Sequence, residues 1–230
     1  EKMAKDAENV KVLCTPEFLT LKGGNVERAI GGSATTFIDK NSRTTGGNGT
    51  AKLNTAIADG TNANIAALIG GYSELGKAEQ NTATVTNGTV KNVVGGCTYS
   101  GIVSANKVEV KGGIVTGGSV VLRYDYDSYN PMTGTMNREI ITPQGIYGGL
   151  SFQGNIQNNS VSVHDVTLGC NIYGGYAFES GNIQNNVIFI NNVTFNNNDE
   201  QIIAGGYSEN GNVSGNSLKI GANGFTVKEA

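Results

Sequence analysis

The sequence has no tryptophan, one histidine, three cysteines, three prolines and no long apolar run. Charged residues make up 15% of it, too few for an acidic or basic disordered segment, so the chain is expected to fold. A net charge of −3 and a pI near 5.2 leave no electrostatic footprint for DNA or RNA. No nucleic-acid partner is expected. The longest apolar runs, such as Ile65 to Ile69, fall far short of the ~20 residues of a membrane-spanning helix. A soluble segment without membrane contact is therefore expected. Glu1 to Asp6 lack the apolar core of a secretory signal, and Val227 to Ala230 end without an obvious cap. These features suggest a segment of something longer.

Chemistry is scarce too. Cys14, Cys97 and Cys170 have no metal-ligand spacing, and their places in the repeats keep Cys97 and Cys170 too far apart for a disulfide, which predicts buried free thiols. His164 beside Asp165 reads as an exposed turn residue, because no nucleophile motif such as Gly-x-Ser-x-Gly accompanies it. The carboxylates are scattered, and only Asp125 and Asp127 are close enough to share a strand face. Asp125-x-Asp127-x-x-Asn130 lacks the glycine and glutamate of a calcium loop. No metal, cofactor or catalytic residue is predicted. Glu74, Glu179 and Glu209 each follow a glycine strand and suggest a weak acidic stripe or a solvated face.

What the chain does have is 34 glycines and a ruler. Gly70-Gly71, Gly95-Gly96, Gly148-Gly149, Gly174-Gly175 and Gly205-Gly206 are followed by Asn81, Asn106, Asn159, Asn186 and Asn216. The first glycine lies eleven residues before the asparagine in four pairs and twelve in the other. Each asparagine opens an Asn-x-apolar-x-apolar strand: Ala83/Val85, Val108/Val110, Val161/Val163, Ile188/Ile190 and Leu218/Ile220. Apolar residues two apart face one side of a strand. Ile69, Val94, Ile146, Ile172 and Ile203, ahead of the glycines, are read as sharing that interior.

The unit recurs every 26 residues or so, too short for a four-stranded propeller blade of about 40 to 45. It suits one coil of a parallel β-helix, with a third strand at Val166 to Leu168, Val193 to Phe195 and Phe225 to Val227. The expected fold is all-β, a right-handed parallel β-helix (β-solenoid), its handedness following that of parallel crossovers. Glycine and asparagine tolerate left-handed backbone, and stacked asparagines could hydrogen-bond along the axis as a ladder.

One domain is expected. Residues 1–29 form a cap or lead-in segment, in which Met3, Ala7 and Val10 have helical spacing over Lys2 to Val12 and a strand lies around Phe18 to Leu21. Residues 30–230 form the β-helix. Its register breaks at 119–142, where three of the nine tyrosines gather. That stretch is either an extended turn of a divergent coil or a hairpin, Val120–Tyr126 against Met136–Thr142, around the Asn130-Pro131 turn signal. Insertions on solenoids line binding faces, and tyrosine supplies stiff amphipathic contact area. Tyr124, Asp125, Tyr126, Asp127, Tyr129 and Met132 are thus the candidate binding residues, unless the segment is only a strap over the sheet.

Ile146-Tyr147-Gly148-Gly149-Leu150, Ile172-Tyr173-Gly174-Gly175-Tyr176 and Ile203-Ala204-Gly205-Gly206-Tyr207, followed by Gly-Asn and Asn-x-Val-x-Ile elements, resemble the passenger domains of autotransporter (type V secretion) adhesins. The nearest kind is the long glycine- and asparagine-rich fusobacterial one. The likeness spans roughly residues 68 to 227. It implies an extracellular stalk on the bacterial cell surface, held by an outer-membrane-anchored parent chain and binding a protein or glycan receptor on host cells or other bacteria. The cysteines depart from the family pattern. Two further readings remain: a carbohydrate-active β-helix enzyme using Asp125, Asp127 and Arg123 or Arg138, and a passive spacer.

Overall fold

The computed structural model describes residues 10–13, 18–34, 49–120, 122–124, 129–130, 132, 135–136, 139–141, 144–196 and 200–228. Among them there is no helix. Apart from two antiparallel pairs within residues 123–141, the strand pairings are parallel; most join segments 25 to 32 residues apart, four span 53, and Phe18–Ala34 pairs across 16–17 residues on one side and 37–39 on the other. The pairing path also closes on itself. Thr55–Ser73, Thr82–Val85, Lys107–Val110, Ser160–Leu168, Ile114–Val115 and Thr89–Thr98 form a ring of six parallel strands, because the long strands pass round a bend and meet different neighbours along their length.

Register is kept through the stack, so equivalent side chains form columns. Leu68, Val93, Ile146, Ile172 and Ile203 pair in sequence. So do Ala56, Ala83, Val108, Val161, Ile188 and Leu218. The third strand adds Ile65, Val90, Val115, Leu168, Phe195 and Val227. Most of these side chains are fully buried in one continuous core. At about 1.5 to 3 kcal/mol for each buried aliphatic side chain, burial between units outweighs any local propensity.

Three expectations need correction. Ile69 and Val94 do not share the face of Ile146, Ile172 and Ile203. They pair in the position of Tyr147, one residue on, and belong to a second cluster on the outer side of the glycine sheet. Val10–Leu13 is a strand paired parallel to Phe18–Ala34, not the end of a helix, while residues 2–9 lie outside the described residues. The ladder asparagines do not themselves take left-handed backbone. The residue before each one does: Leu53, Gln80, Ala105, Asn158 and Asn185 have φ between 54 and 59°, and Gly215 has 65°. A β-carbon there costs about 1 to 2 kcal/mol, which the following asparagine offsets.

That asparagine is buried and fully bonded. Asn106 Oδ1 accepts from the Asn81 backbone N–H at 3.0 Å and from Asn81 Nδ2 at 2.9 Å, and Asn106 Nδ2 donates to Asn159 Oδ1 at 2.9 Å and to the Ala78 carbonyl at 2.8 Å. The arrangement runs from Asn54 to Asn216. It explains the ruler. A β-carbon at Gly96 would lie 2.5 Å from Asn106 Cγ, and one at Gly149 2.8 Å from Asn159 Nδ2, so the second glycine leaves the space its asparagine amide occupies.

Within 119–142, Arg123–Tyr124 pairs antiparallel with Glu139–Ile141, and Tyr129–Asn130 with Thr135–Met136. The base of this excursion is clamped by buried Asn92, whose Nδ2 donates to the Gly118 carbonyl at 2.6 Å and whose Oδ1 accepts from the Gly145 N–H at 2.7 Å. Val120 and Leu122 are buried in the second cluster with Ile69 and Val94.

Asn159→Ala strands two buried Asn106 donors, each costing about 1 to 3 kcal/mol. In urea unfolding it is expected to lose about 3 kcal/mol, against under about 1 kcal/mol for exposed Asn182→Ala; equal losses would remove the ladder's structural role. Gly96→Ala should likewise lose about 3 kcal/mol or fail to fold. Gly23→Ala, whose β-carbon meets nothing closer than Asn62 Cβ at 3.8 Å, should stay near wild type.

Candidate functional site

At the glycine pair the strand bends so that both missing side chains point inward. A β-carbon at Gly148 would meet Val161 Cγ2 at 3.2 Å, and one at Gly149 would meet Ile156 Cγ2 at 2.6 Å. The flanking residues therefore both face out. Tyr147, Leu150, Tyr173 and partly buried Tyr176 join the outer cluster.

The result is an aromatic face running along the stack. Tyr147 stacks on Tyr173 at 5.4 Å and Tyr176 on Tyr207 at 4.9 Å, while Tyr99 stacks on Phe152 at 5.2 Å. Edge contacts of Tyr176 with Tyr173 and Phe178, each at 4.9 Å, tie the rows together. Such pairs contribute about 0.5 to 1.5 kcal/mol beyond their area. Tyr147 and Tyr173 are buried, Tyr176 and Phe178 half-buried, and Tyr207 is 45% exposed. Burial, with the neighbouring Tyr207, Tyr173 and Glu209, pushes the Tyr176 hydroxyl up to about 12.

Beside this face lies an open groove of about 550 Å³ that crosses successive units. Leu75, Gly76 and Lys77, then Ser100, Gly101 and Ile102, then Gln153, Gly154 and Asn155, and finally Ser180 and Gly181 line it, with Thr50 at one end. Its glycines sit backbone against backbone: a β-carbon on Gly154 would run into the Gly101 carbonyl. Tyr99 and Phe152, whose rings stack on each other, immediately precede the lining residues Ser100 and Gln153 in the chain. Gln153 Nε2 donates to Glu179, and Asn155 Oδ1 accepts from the Asn182 N–H at 3.0 Å.

The residues expected to bind are placed unevenly. Met132 is 94% exposed. Tyr124 and Tyr129 lie in the antiparallel strands, paired with Glu139 and Met136. Asp125, Tyr126, Asp127 and Arg138 lie outside the described residues. The acidic stripe does not form. Glu74 is buried and accepts from the Tyr72 hydroxyl at 2.7 Å, and between it and Glu209 the equivalent positions hold Tyr99, Phe152 and Phe178. His164 is half-buried, at a bend where Asp165 has φ 57°. A hydrogen bond from Asn192 at 2.7 Å and one with His164 at 3.1 Å hold the Asp165 carboxyl below its usual range. Among the described residues no group of three or more His, Cys, Asp or Glu could hold a metal.

Sequence reasoning missed the aromatic face and the groove. The signals were present, in the tyrosines flanking four of the five glycine pairs and in the recurrence of Gly76, Gly101, Gly154 and Gly181. Comparison with family models, curated proteins and solved structures finds no match to this chain.

Cys97 and Cys170 are buried free thiols. Burial pushes both up, Cys170 to about 12, and Glu74 raises Cys97 further. In native protein at pH 8 neither is expected to react with iodoacetamide, and both should react in urea, as read by mass spectrometry. Because the folded state keeps these protons longer than the unfolded one, stability should fall as pH rises above the ordinary thiol range near 8.5. A flat urea midpoint between pH 8 and 11 would contradict the burial of these groups.

Proposed function

We propose that the chain is a right-handed parallel β-helix of about 26-residue coils serving as the stalk and binding surface of a bacterial cell-surface adhesin exported by the autotransporter route. One observation carries this reading: the outer aromatic face. The stack's interior is satisfied by its own columns, yet on the outer face Tyr176 and Phe178 are only half-buried and Tyr207 is 45% exposed. Exposed aromatic surface on a rigid scaffold is the composition of interaction sites, where tyrosine concentrates binding energy. Met132, exposed on the excursion, adds a pliable apolar contact. The receptor is a protein or glycan on host cells or other bacteria.

Fluorescently labelled segment is expected to bind such cells saturably, and Tyr176→Ala with Tyr207→Ala should weaken binding at least tenfold while leaving the β-type circular dichroism unchanged. Saturable binding that survives the double substitution would remove the aromatic face as the binding surface. No saturable binding by the wild type would leave a passive spacer as the better account.

A further inference from the structure

We infer that the groove lined by Lys77, Ser100, Ile102, Gln153, Asn155 and Ser180 is a binding site for a linear oligosaccharide lying along the stack. This deepens the adhesin reading and rests on it. The groove is open and its lining residues come from four successive units. Gly76, Gly101, Gly154 and Gly181 are among its lining residues, and β-carbons on Gly101, Gly154 and Gly181 would each run into the carbonyl of the glycine one unit before, so close packing of the units keeps larger side chains out of this part of the lining. Four successive units give it a length of about 14 Å at the strand spacing of about 4.8 Å, room for a short run of pyranose rings.

The lining chemistry matches sugar rather than peptide. Ser100 and Ser180 offer hydroxyls that donate and accept, the Asn155 amide offers donors, and Lys77 offers an ammonium. This alternation suits hydroxyl groups arrayed along a sugar chain. Ile102, at 36% exposure, and Leu75 supply the apolar patches that the carbon–hydrogen faces of pyranoses require. An extended peptide would seek unpaired strand edges, but here the lining segments are already bonded between units: the Ser100 N–H donates to the Glu74 carbonyl, the Ile102 N–H to the Gly76 carbonyl and the Gln153 N–H to the Tyr99 carbonyl.

The test is an array of linear neutral and acidic oligosaccharides probed with the labelled segment, followed by titration of the best ligand. Ser100→Trp, which fills the groove from a partly exposed position, should weaken that ligand at least tenfold, and Lys77→Ala about threefold or more. Lys111→Ala and Lys219→Ala, at exposed residues that do not line the groove, should leave it unchanged. Urea midpoints of all four variants close to wild type keep the comparison one of binding. An array with no ligand, or a ligand indifferent to both groove variants, overturns the inference. Cell binding that is lost after protease treatment of the cells, but survives glycosidase treatment and both groove variants, would point to a protein receptor and overturn the groove while leaving the adhesin reading intact.

Discussion

The structure depends on a buried amide chain. Each ladder asparagine from Asn81 on closes the hydrogen-bonding needs of its neighbour's backbone and side chain at once, so none from Asn81 to Asn216 can be changed without leaving the one before it unsatisfied. Buried polar groups of this kind are costly when incomplete and specifying when complete. The glycine pair exists to make room for it, and the strained backbone at Leu53, Gln80 and Ala105 is held in place by it.

From that constraint the two sides of the glycine sheet follow. Two consecutive residues without side chains let the strand bend while facing inward, so the residues before and after them both point out. An ordinary strand alternates. Here Tyr147 and Leu150 fall on the same side, and the outer face becomes a second, smaller core that is partly covered by Val120 and Leu122 and partly left as aromatic surface.

Much of this was legible in the sequence, for a physical reason: in-register stacking asks the same residue of the same position in every unit, so the period and the inward pairs such as Val161/Val163 and Ile188/Ile190 stood out. The phase of Leu68-Ile69 and Val93-Val94 did not. Both residues of each pair are buried, one on either face, and a doubly buried strand gives alternation nothing to report. The left-handed residues were hidden because leucine, glutamine and alanine carry no turn signal. Tyr173 and Tyr176 were visible as a motif, but which way they point depends on the bend at Gly174-Gly175 and cannot be taken from spacing alone. Asp125, Tyr126 and Asp127, three of the candidate binding residues, lie outside the described residues.

Parallel pairing between successive units directs the backbone hydrogen bonds along the stack rather than across it. A pulling force on that axis would load them one layer at a time, like a zip, instead of shearing a whole sheet together. Where stacked segments are 26 residues apart, as Ile146 and Ile172 are, a layer let go would release a length of chain near 90 Å at about 3.4 Å per residue. The same geometry that makes the stack stiff against bending makes it yield in steps under tension, absorbing extension before the next layer opens.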